Sequence, residues 1–583
     1  MKKWTAWACA IALSIALLPA PAVQAHDDQT AVYEAEDGLL NGVSVDHSAA
    51  GYSGTGYVTG FDNADDSVTF HVTSDAKALY NLTVGYHSPY GDKKTRLSVN
   101  GSPSGEIALE GSGSSFAEAP GSKVLLNAGD NTVTFTSDWG WYDIDYMKLA
   151  KAQINTTHQV TKSLVNPNAS PEARSLMSYL ADQYGKTILS GQQNIANVGY
   201  IQNATGKKPA VVGFDLIDYS PSRVARGAAS TEVEKAIDWH RQGGIVTFVW
   251  HWNAPTDLID QPGKEWWRGF YTDSTTFDVG YALSHPESED YKLIVRDIDA
   301  IAVQLEKLKD AHVPVLFRPL HEAEGGWFWW GAKGPEPAKQ LYRLLYDRLT
   351  NHFGLDNLIW IWNSVSPDWY PGDDVVDIVS ADSYPPAGDY SPVSGTYDSL
   401  VSLGQDRKLV ALTENGPIPD PDLLQIYGAH WSWFCTWDGS FLTDGVNNSL
   451  QHLIAVYQHP NVITLDELPD VDHYGALKLH VQQIGVKWNI GKGKAWGTAE
   501  VSVADSSGNP VSGVTVEGQW TGKTTDSDAG VTGQDGRTTL VSDMVNPAQG
   551  EFAFTVTGLR HGNDLYDADA NAMTSASASK TDR

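Results

Sequence analysis

Between residues 187 and 437, short apolar runs alternate with longer amphipathic stretches, and no other feature of the chain limits its fold as much. The runs are Thr187-Ile-Leu-Ser-Gly, Pro209-Ala-Val-Val-Gly-Phe-Asp, Gly244-Ile-Val-Thr-Phe-Val-Trp-His, Pro314-Val-Leu-Phe-Arg, Leu358-Ile-Trp-Ile-Trp-Asn, Ile378-Val-Ser-Ala-Asp-Ser-Tyr, Leu409-Val-Ala-Leu-Thr-Glu and Trp431-Ser-Trp-Phe-Cys-Thr-Trp. A run of this length without alternation suits a strand buried on both faces, as in a parallel sheet covered by helices. The stretches between them, such as 232–242, 291–308 and 336–351, have helical periodicity. Eight strands interleaved with helices predict a central (β/α)8 TIM barrel over 172–475. A doubly wound sheet would usually show a Gly-rich phosphate loop, and none is visible.

Polar and aromatic residues gather where these strands end: Asp215, His251 with Trp252, His321 with Glu322, Asn363, Asp382 with Tyr384, Glu414 with Asn415, and Trp433 with Trp437. In a parallel barrel such ends converge on one face, where active sites are built. Glu322 and Glu414 end the fourth and seventh runs and can face each other across the mouth. Two facing carboxyl groups are what cleavage of a glycosidic bond needs, one to protonate the leaving oxygen and one to attack the sugar. The alternative is that each pairs with a neighbouring Arg or caps a helix. An acid at the end of an apolar strand is costly without such a partner.

Surroundings divide the roles. Glu322 precedes Ala-Glu-Gly-Gly-Trp-Phe-Trp-Trp-Gly, an aromatic loop that would desolvate a carboxyl and raise its pKa, as a general acid requires. Glu414 is the candidate nucleophile, with Tyr384 placed to donate a hydrogen bond to it, unless that ring is only packing. Arg318 either stabilises the nucleophile or neutralises a buried acid network. His321 is a substrate-hydroxyl contact or a hydrogen-bonded wall. Trp327 and Trp437 are floors for a sugar ring or core residues. Glu324 is a competing acid, ranked lower because it sits further into the loop.

A formal net charge of -31 argues against nucleic acid as a partner, since a phosphate backbone calls for Lys and Arg. The 21 Trp and 25 Tyr exceed what cores need, and flat rings also stack on sugar faces. The N-terminus reads Met1-Lys2-Lys3, an apolar stretch too short to span a bilayer, and a Val-x-Ala site ending at Ala25. This predicts a signal peptide over 1–25, with an uncleaved anchor as the alternative, and a secreted protein without a membrane span. Cys9 would leave with that segment, so Cys435 stands alone and is expected to be a buried, inert thiol.

Short alternating runs with Gly, Asp and Ser turns fill 31–150 and predict an N-terminal β-sandwich of jelly-roll type. A polar linker over 151–171 follows. Alternation returns over 476–566, where an immunoglobulin-like β-sandwich is expected, and 567–583 reads as a polar, frayed tail.

Arg318-Pro-Leu-His-Glu-Ala-Glu-Gly-Gly-Trp-Phe-Trp-Trp-Gly resembles the acid/base motif of glycoside hydrolase family 26, and Thr413-Glu-Asn-Gly its nucleophile strand. Val249-Trp-His-Trp, Ser380-Ala-Asp-Ser-Tyr-Pro and the Trp-rich eighth run agree. The resemblance implies a retaining endo-β-1,4-mannanase acting on mannan, glucomannan or galactomannan, with Glu322 as acid/base, Glu414 as nucleophile and no cofactor for catalysis. It places His251, Trp252, His321 and Trp327 around the substrate and Tyr384 beside the nucleophile; Arg318, Asp382 and Trp437 are further substrate contacts expected from their places at the strand ends. The Ala-Glu-Gly after Glu322 departs from many members, which carry Met or His and then Asn or Thr. A β-1,3-1,4-glucanase, a β-1,3-xylanase and a catalytically inactive glycan-binding protein are the other functions weighed.

The opening Tyr33-Glu-Ala-Glu-Asp-Gly and the closing Asp138-Trp-Gly-Trp-Tyr-Asp-Ile-Asp-Tyr resemble carbohydrate-binding modules of family 35. The carboxylates Glu34, Glu36 and Asp145 fit a structural Ca2+ held by oxygen ligands, a reading the resemblance strengthens over merely solvated acids; Tyr52 and Trp139 are the preferred stacking contacts for polysaccharide, with Tyr57 and Trp141 as further aromatic candidates and core packing as the alternative. The expected partner is a β-mannan-type polysaccharide, met by a monomer.

Overall fold

The computed structural model describes residues 30–580, so the expected signal peptide lies outside the described residues. Eight parallel strands close into a barrel: Gly191–Gln193, Val211–Asp215, Ile245–Val249, Val315–Arg318, Leu358–Asn363, Ile378–Ser383, Leu409–Asn415 and Phe434–Thr436. Gln192 pairs with Thr436 to complete the ring. The first strand differs from expectation. Ile188–Leu189 pairs with Val462–Ile463 in a separate two-stranded sheet, and the barrel strand begins only at Gly191.

The sequence makes these elements for plain reasons. Leu358–Asn363 is buried at every position, which is why its apolar run shows no alternation. The helix Glu289–Asp310 starts at Ser288, whose side chain accepts from Tyr291 N, and has Glu289 and Asp290 in its first turn and Lys307 and Lys309 in its last. Those charges contribute about 0.3–1 kcal/mol each. Its buried Ile294, Ile298, Ile301, Leu305 and Leu308 contribute roughly 1.5–3 kcal/mol apiece, so packing against the barrel decides that this helix forms.

The N-terminal sandwich stacks a six-stranded sheet on a five-stranded one, antiparallel throughout, around Phe70, Phe135, Ile144 and Met147. It is docked on the barrel: Lys123 Nζ donates to Asp398 at 2.7 Å and Leu125 N to Tyr427 Oη at 3.0 Å. The polar linker is laid along the barrel's underside, opposite the strand ends that build the site. There Thr161 N meets Arg407 O, Val165 N meets Asp377, and His158 lies between Asp406 and His430.

Beyond the barrel, two four-stranded sheets enclose Trp520, Phe552, Phe554 and Val501. Part of the stretch expected to fray is instead paired. Ser575–Ser579 pairs with Glu551–Arg560 as an edge strand, so this sandwich runs on to 579.

Candidate functional site

Two backbone features aim the fourth strand's acid. Leu320 and Glu322, on either side of His321, both lie in the left-handed region, with φ of 54° and 53°. Each costs roughly 1–2 kcal/mol for a residue with a Cβ, so the turn must be held by its surroundings. Glu322 N donates to Asn363 Oδ1 at 2.9 Å, and Trp330 Nε1 donates to His321 O at 2.9 Å. Behind the turn, Gly331 passes so close to Ala323 O that a Cβ there would collide. Gly325 is covered in the same way by the Trp327 ring, and Trp327 Nε1 donates to Glu322 Oε2 at 2.8 Å.

Across the mouth, Glu414 is buried at the end of the seventh strand. Tyr384 Oη donates to its Oε2 at 2.6 Å, and Arg318 Nη2 donates to its Oε1. Arg318 Nη1 reaches Asp382 Oδ2 at 2.8 Å, while Asn363 Nδ2 and Thr413 Oγ1 donate to Asp382 Oδ1 at 2.9 and 2.8 Å. One oxygen each of Glu322, Asp382 and Glu414 lies within 4.8 Å of the others. Three carboxyl groups therefore crowd together, and one guanidinium bridges two of them, Asp382 and Glu414.

That crowding sets the protonation. Burial, then the Glu414 charge, raises the Glu322 carboxyl above its ordinary range. Burial also raises Asp382 well above the carboxylate range, with Arg318 pulling the other way and Glu414 adding to the rise. Both Asp382 oxygens are occupied by donors, whereas Glu322 Oε1 has no hydrogen-bond partner among the described residues. The geometry thus leaves Glu322 as the place for a proton. Burial, with the Glu414 and Asp382 charges behind it, raises the Tyr384 phenol far above its usual value, so it donates rather than ionises.

The residues expected around the substrate separate into two groups. Trp327 is 50% exposed and Tyr384 is 41% exposed, both at the mouth, and Trp437 stands 6.0 Å from the His251 ring. Four others are corrected. Trp252 is fully buried, stacked on Trp250 at 4.1 Å, with its Nε1 donating to Asp297; it is core, not cleft. Arg318 and Asp382 have side chains only 2% and 3% exposed and spend their hydrogen bonds on the carboxyl cluster. His321 is 1% exposed and sits behind His251, Nε2 to Nε2 at 3.1 Å.

His251 Nδ1 lies 2.7 Å from Asp215 Oδ2. Burial works to lower its pKa, but the Asp215 charge and hydrogen bond outweigh this and raise it. Burial and the neighbouring His251 lower His321 well below the histidine range, so it is the neutral acceptor of the pair. Sequence reasoning noted Asn363 and Asp215 only as polar strand ends. Their tasks, joining Glu322 to Asp382 and orienting His251, depend on contacts that no local pattern encodes. Cys435 is buried, and burial pushes its thiol upward, away from reactivity.

In the N-terminal sandwich, Ser53 N donates to both oxygens of Asp145, Ser53 Oγ to Glu34, and Thr55 N to Glu36, so one loop gathers three acids. Glu34 Oε2 and Glu36 Oε2 are buried without a hydrogen-bond partner. Burial, then Glu34 and Glu36, pushes Asp145 up to about 6 against the pull of Ser53 N. Tyr52, in that loop, is half-buried against His47, Tyr57 and Phe116, whereas Trp139 ends a strand of the other sheet, 58% exposed under Lys93. Of the further aromatic candidates, Tyr57 is buried and bonded to Asp46, and Trp141 is exposed.

A parallel barrel with a raised carboxyl facing a second, cation-held carboxyl at its mouth defines a glycoside hydrolase. Residues 165–467 match the glycosyl hydrolase family 26 profile, and residues 31–152 match that of carbohydrate binding module family 35. The chain belongs to glycosyl hydrolase family 26 and carries a family 35 module on its N-terminal side. It is 53% identical over 449 residues to a mannan endo-1,4-beta-mannosidase of Thermothelomyces thermophilus, covering 77% of this chain and 92% of that one. It is 36% identical to mannan endo-1,4-beta-mannosidase B of a Piromyces species, over 75% of this chain and 77% of the relative. The crystal structure of a Podospora anserina GH26-CBM35 beta-(1,4)-mannanase superposes with a TM-score of 0.57 at 50% identity, covering 76% of this chain and 100% of that chain.

Proposed function

We propose that this chain is a secreted endo-β-1,4-mannanase that cleaves internal linkages of mannan, glucomannan and galactomannan with retention of configuration. The observation that carries the reading is the approach of Glu322 and Glu414 oxygens to within 4.8 Å. Retaining enzymes hold their carboxyl groups about 5–5.5 Å apart, and inverting ones about 6.5–9.5 Å to admit a water. The named relatives supply the substrate class, and the N-terminal run of Lys, apolar and small residues supports secretion. No helix among the described residues is long and apolar enough to cross a membrane.

In the first step the proton on Glu322 passes to the glycosidic oxygen as the C1–O bond breaks, while a Glu414 oxygen bonds to C1. In the second, Glu322 takes a proton from water, whose oxygen attacks C1 and breaks the ester to Glu414. Arg318 and Tyr384 orient the Glu414 carboxylate for attack. The raised Glu322 pKa keeps the acid form populated above the ordinary glutamate range, so kcat/KM falls on the alkaline side as that proton is lost. These steps need only two carboxyl groups and water.

The test is a panel of mannan, galactomannan, glucomannan, lichenan and β-1,3-xylan, read as reducing ends, product sizes and the anomer formed first. Mannan-type polymers should be cut fastest, with falling viscosity, mixed oligosaccharide sizes and β-anomer appearing first. Faster cleavage of lichenan or xylan would assign the site to those glucans or xylans. An α-anomer would overturn retention, and binding without reducing ends would make the protein a lectin.

The N-terminal module in this reading grips the polysaccharide through Tyr52 and Trp139, and its acids suit a Ca2+. Glu34, Glu36 and Asp145 supply hard oxygen donors, and the two orphaned glutamate oxygens are what a cation would satisfy. Ca2+ would supply folding stability there, not chemistry. At a hundredfold excess over its Kd the gain is about 2.7 kcal/mol, a rise of roughly 10 °C in the module's Tm. Asp145→Asn should abolish that rise, and an unchanged Tm on adding CaCl2 to the native protein would remove the cation. The C-terminal sandwich is taken as an immunoglobulin-like spacer, and the whole as a monomer.

A further inference from the structure

The turn that presents Glu322 is tied twice to the chain leaving the fifth barrel strand. Asn363 makes one tie, through Glu322 N. Glu324 makes the other: Ser364 Oγ at 2.6 Å, Val365 N at 3.2 Å and Ser366 N at 3.0 Å all donate to its carboxylate. Three consecutive residues thus close on one side chain. Both Glu324 oxygens are turned into that segment, which removes Glu324 as a rival proton donor and leaves the departure at Ala-Glu-Gly in need of a purpose.

We propose that Glu324 is a positioning residue for acid catalysis, fixing the turn 320–324 against residues 363–366 so that the Glu322 carboxyl meets the glycosidic oxygen. The inference rests on Glu322 being the proton donor. Its physical basis is the pair of left-handed residues, Leu320 and Glu322. Such a turn relaxes unless its neighbours over-determine it. From one side it is backed by the close pass of Gly331 under Ala323 and by Trp330 on His321 O. On the other side, Asn363 and Glu324 tie the turn to the fifth strand's exit, while Trp327 Nε1 holds the Glu322 carboxyl from within the loop and Gly325 N closes the turn on Glu322 O. Without Glu324, two backbone N–H groups and a hydroxyl lose their acceptor, and the segment bearing Asn363 is freed with them. A shift of about 1 Å in a reacting group costs on the order of 100-fold in rate.

The test compares native enzyme with Glu324→Ala and Ser364→Ala on two substrates: galactomannan, whose leaving group needs a proton, and 2,4-dinitrophenyl β-mannobioside, whose leaving group does not. For Glu324→Ala, kcat/KM on galactomannan should fall about 100-fold. On the aryl substrate kcat/KM should stay within about threefold while kcat and KM fall together, because Glu322 also activates water in the second step. The alkaline limb of kcat/KM should move to lower pH as the loosened Glu322 meets water. Ser364→Ala, which removes one donor, should move each readout the same way by less. Equal losses on both substrates, or an unmoved alkaline limb in Glu324→Ala, would overturn the assignment. Native enzyme that releases nothing from galactomannan would instead overturn the underlying function.

Discussion

Glu414→Ala lowers turnover of galactomannan by about 10⁵-fold or more, because no other group is placed to attack C1. The buried neighbours of Glu414 make this a sharp experiment. Arg318 and Tyr384 both donate to that carboxylate, so its loss frees two donors around a cavity of one side chain. A small anion can occupy that space. Added azide should restore part of the activity and yield an α-glycosyl azide, the inverted product, since the anion attacks from the face that Glu414 vacates. Azide rescue of Glu322→Ala on 2,4-dinitrophenyl β-mannobioside, whose leaving group needs no proton, should give the β-azide instead, because there Glu414 still forms the ester and the anion replaces the second-step water. The same stereochemistry from both variants would exchange or dissolve the two roles. Polysaccharide binding through the N-terminal sandwich should survive Glu414→Ala, as the module docks on barrel helices through Asp398 and Tyr427 and touches no member of the carboxyl cluster.

Much of this was legible because parallel barrels impose a strict grammar. Strands buried on both faces must be apolar throughout, so an acid at the end of such a run stands out, and Glu322 and Glu414 were visible for that reason. What the grammar does not specify is which strand-end side chain points into the cleft and which points back into the wall. Asp382 and Trp252 read like cleft residues but serve the wall. The pairing between the sixth and seventh strands shifts register between Ala381 and Asp382, which leaves Thr413 unpaired on the seventh strand and sets Asp382 beside Glu414, and no run of letters announces such a bulge. Trp252 looks like a sugar platform until Trp250 is seen stacked upon it. The last edge strand was missed for a different reason. Ser575-Ala-Ser-Ala-Ser does alternate, but alanine carries too little apolar surface to register as a buried face. The first barrel strand was misplaced because the more apolar Ile188–Leu189 outweighs Gly191–Gln193, whose Gly sits there to let the Phe434 backbone approach.

Arg318→Met should strongly destabilise the barrel. The guanidinium is the only cation within hydrogen-bonding distance of the cluster among the described residues, and its removal leaves Asp382 and Glu414 buried, 3% and 5% exposed, with uncompensated charge. Removing one partner of a buried ion pair costs about 3–5 kcal/mol, or a drop of roughly 10 °C in a domain of this size. With the guanidinium gone, Glu414 keeps only the Tyr384 donor and is no longer fixed for attack; kcat/KM should fall by about 10³-fold or more, as expected when an oriented donor is lost from such a site. Arg318→Lys should recover little, because a single ammonium cannot bridge two carboxylates as the planar fork does. The two consequences can be separated. Adding Asp382→Asn to Arg318→Met removes one of the stranded charges and should restore a good part of the lost Tm while leaving turnover low, since Glu414 still lacks its guanidinium. If the single variant melts within a degree or two of the native protein and keeps a tenth of its activity, Arg318 is not what holds the nucleophile in place for attack.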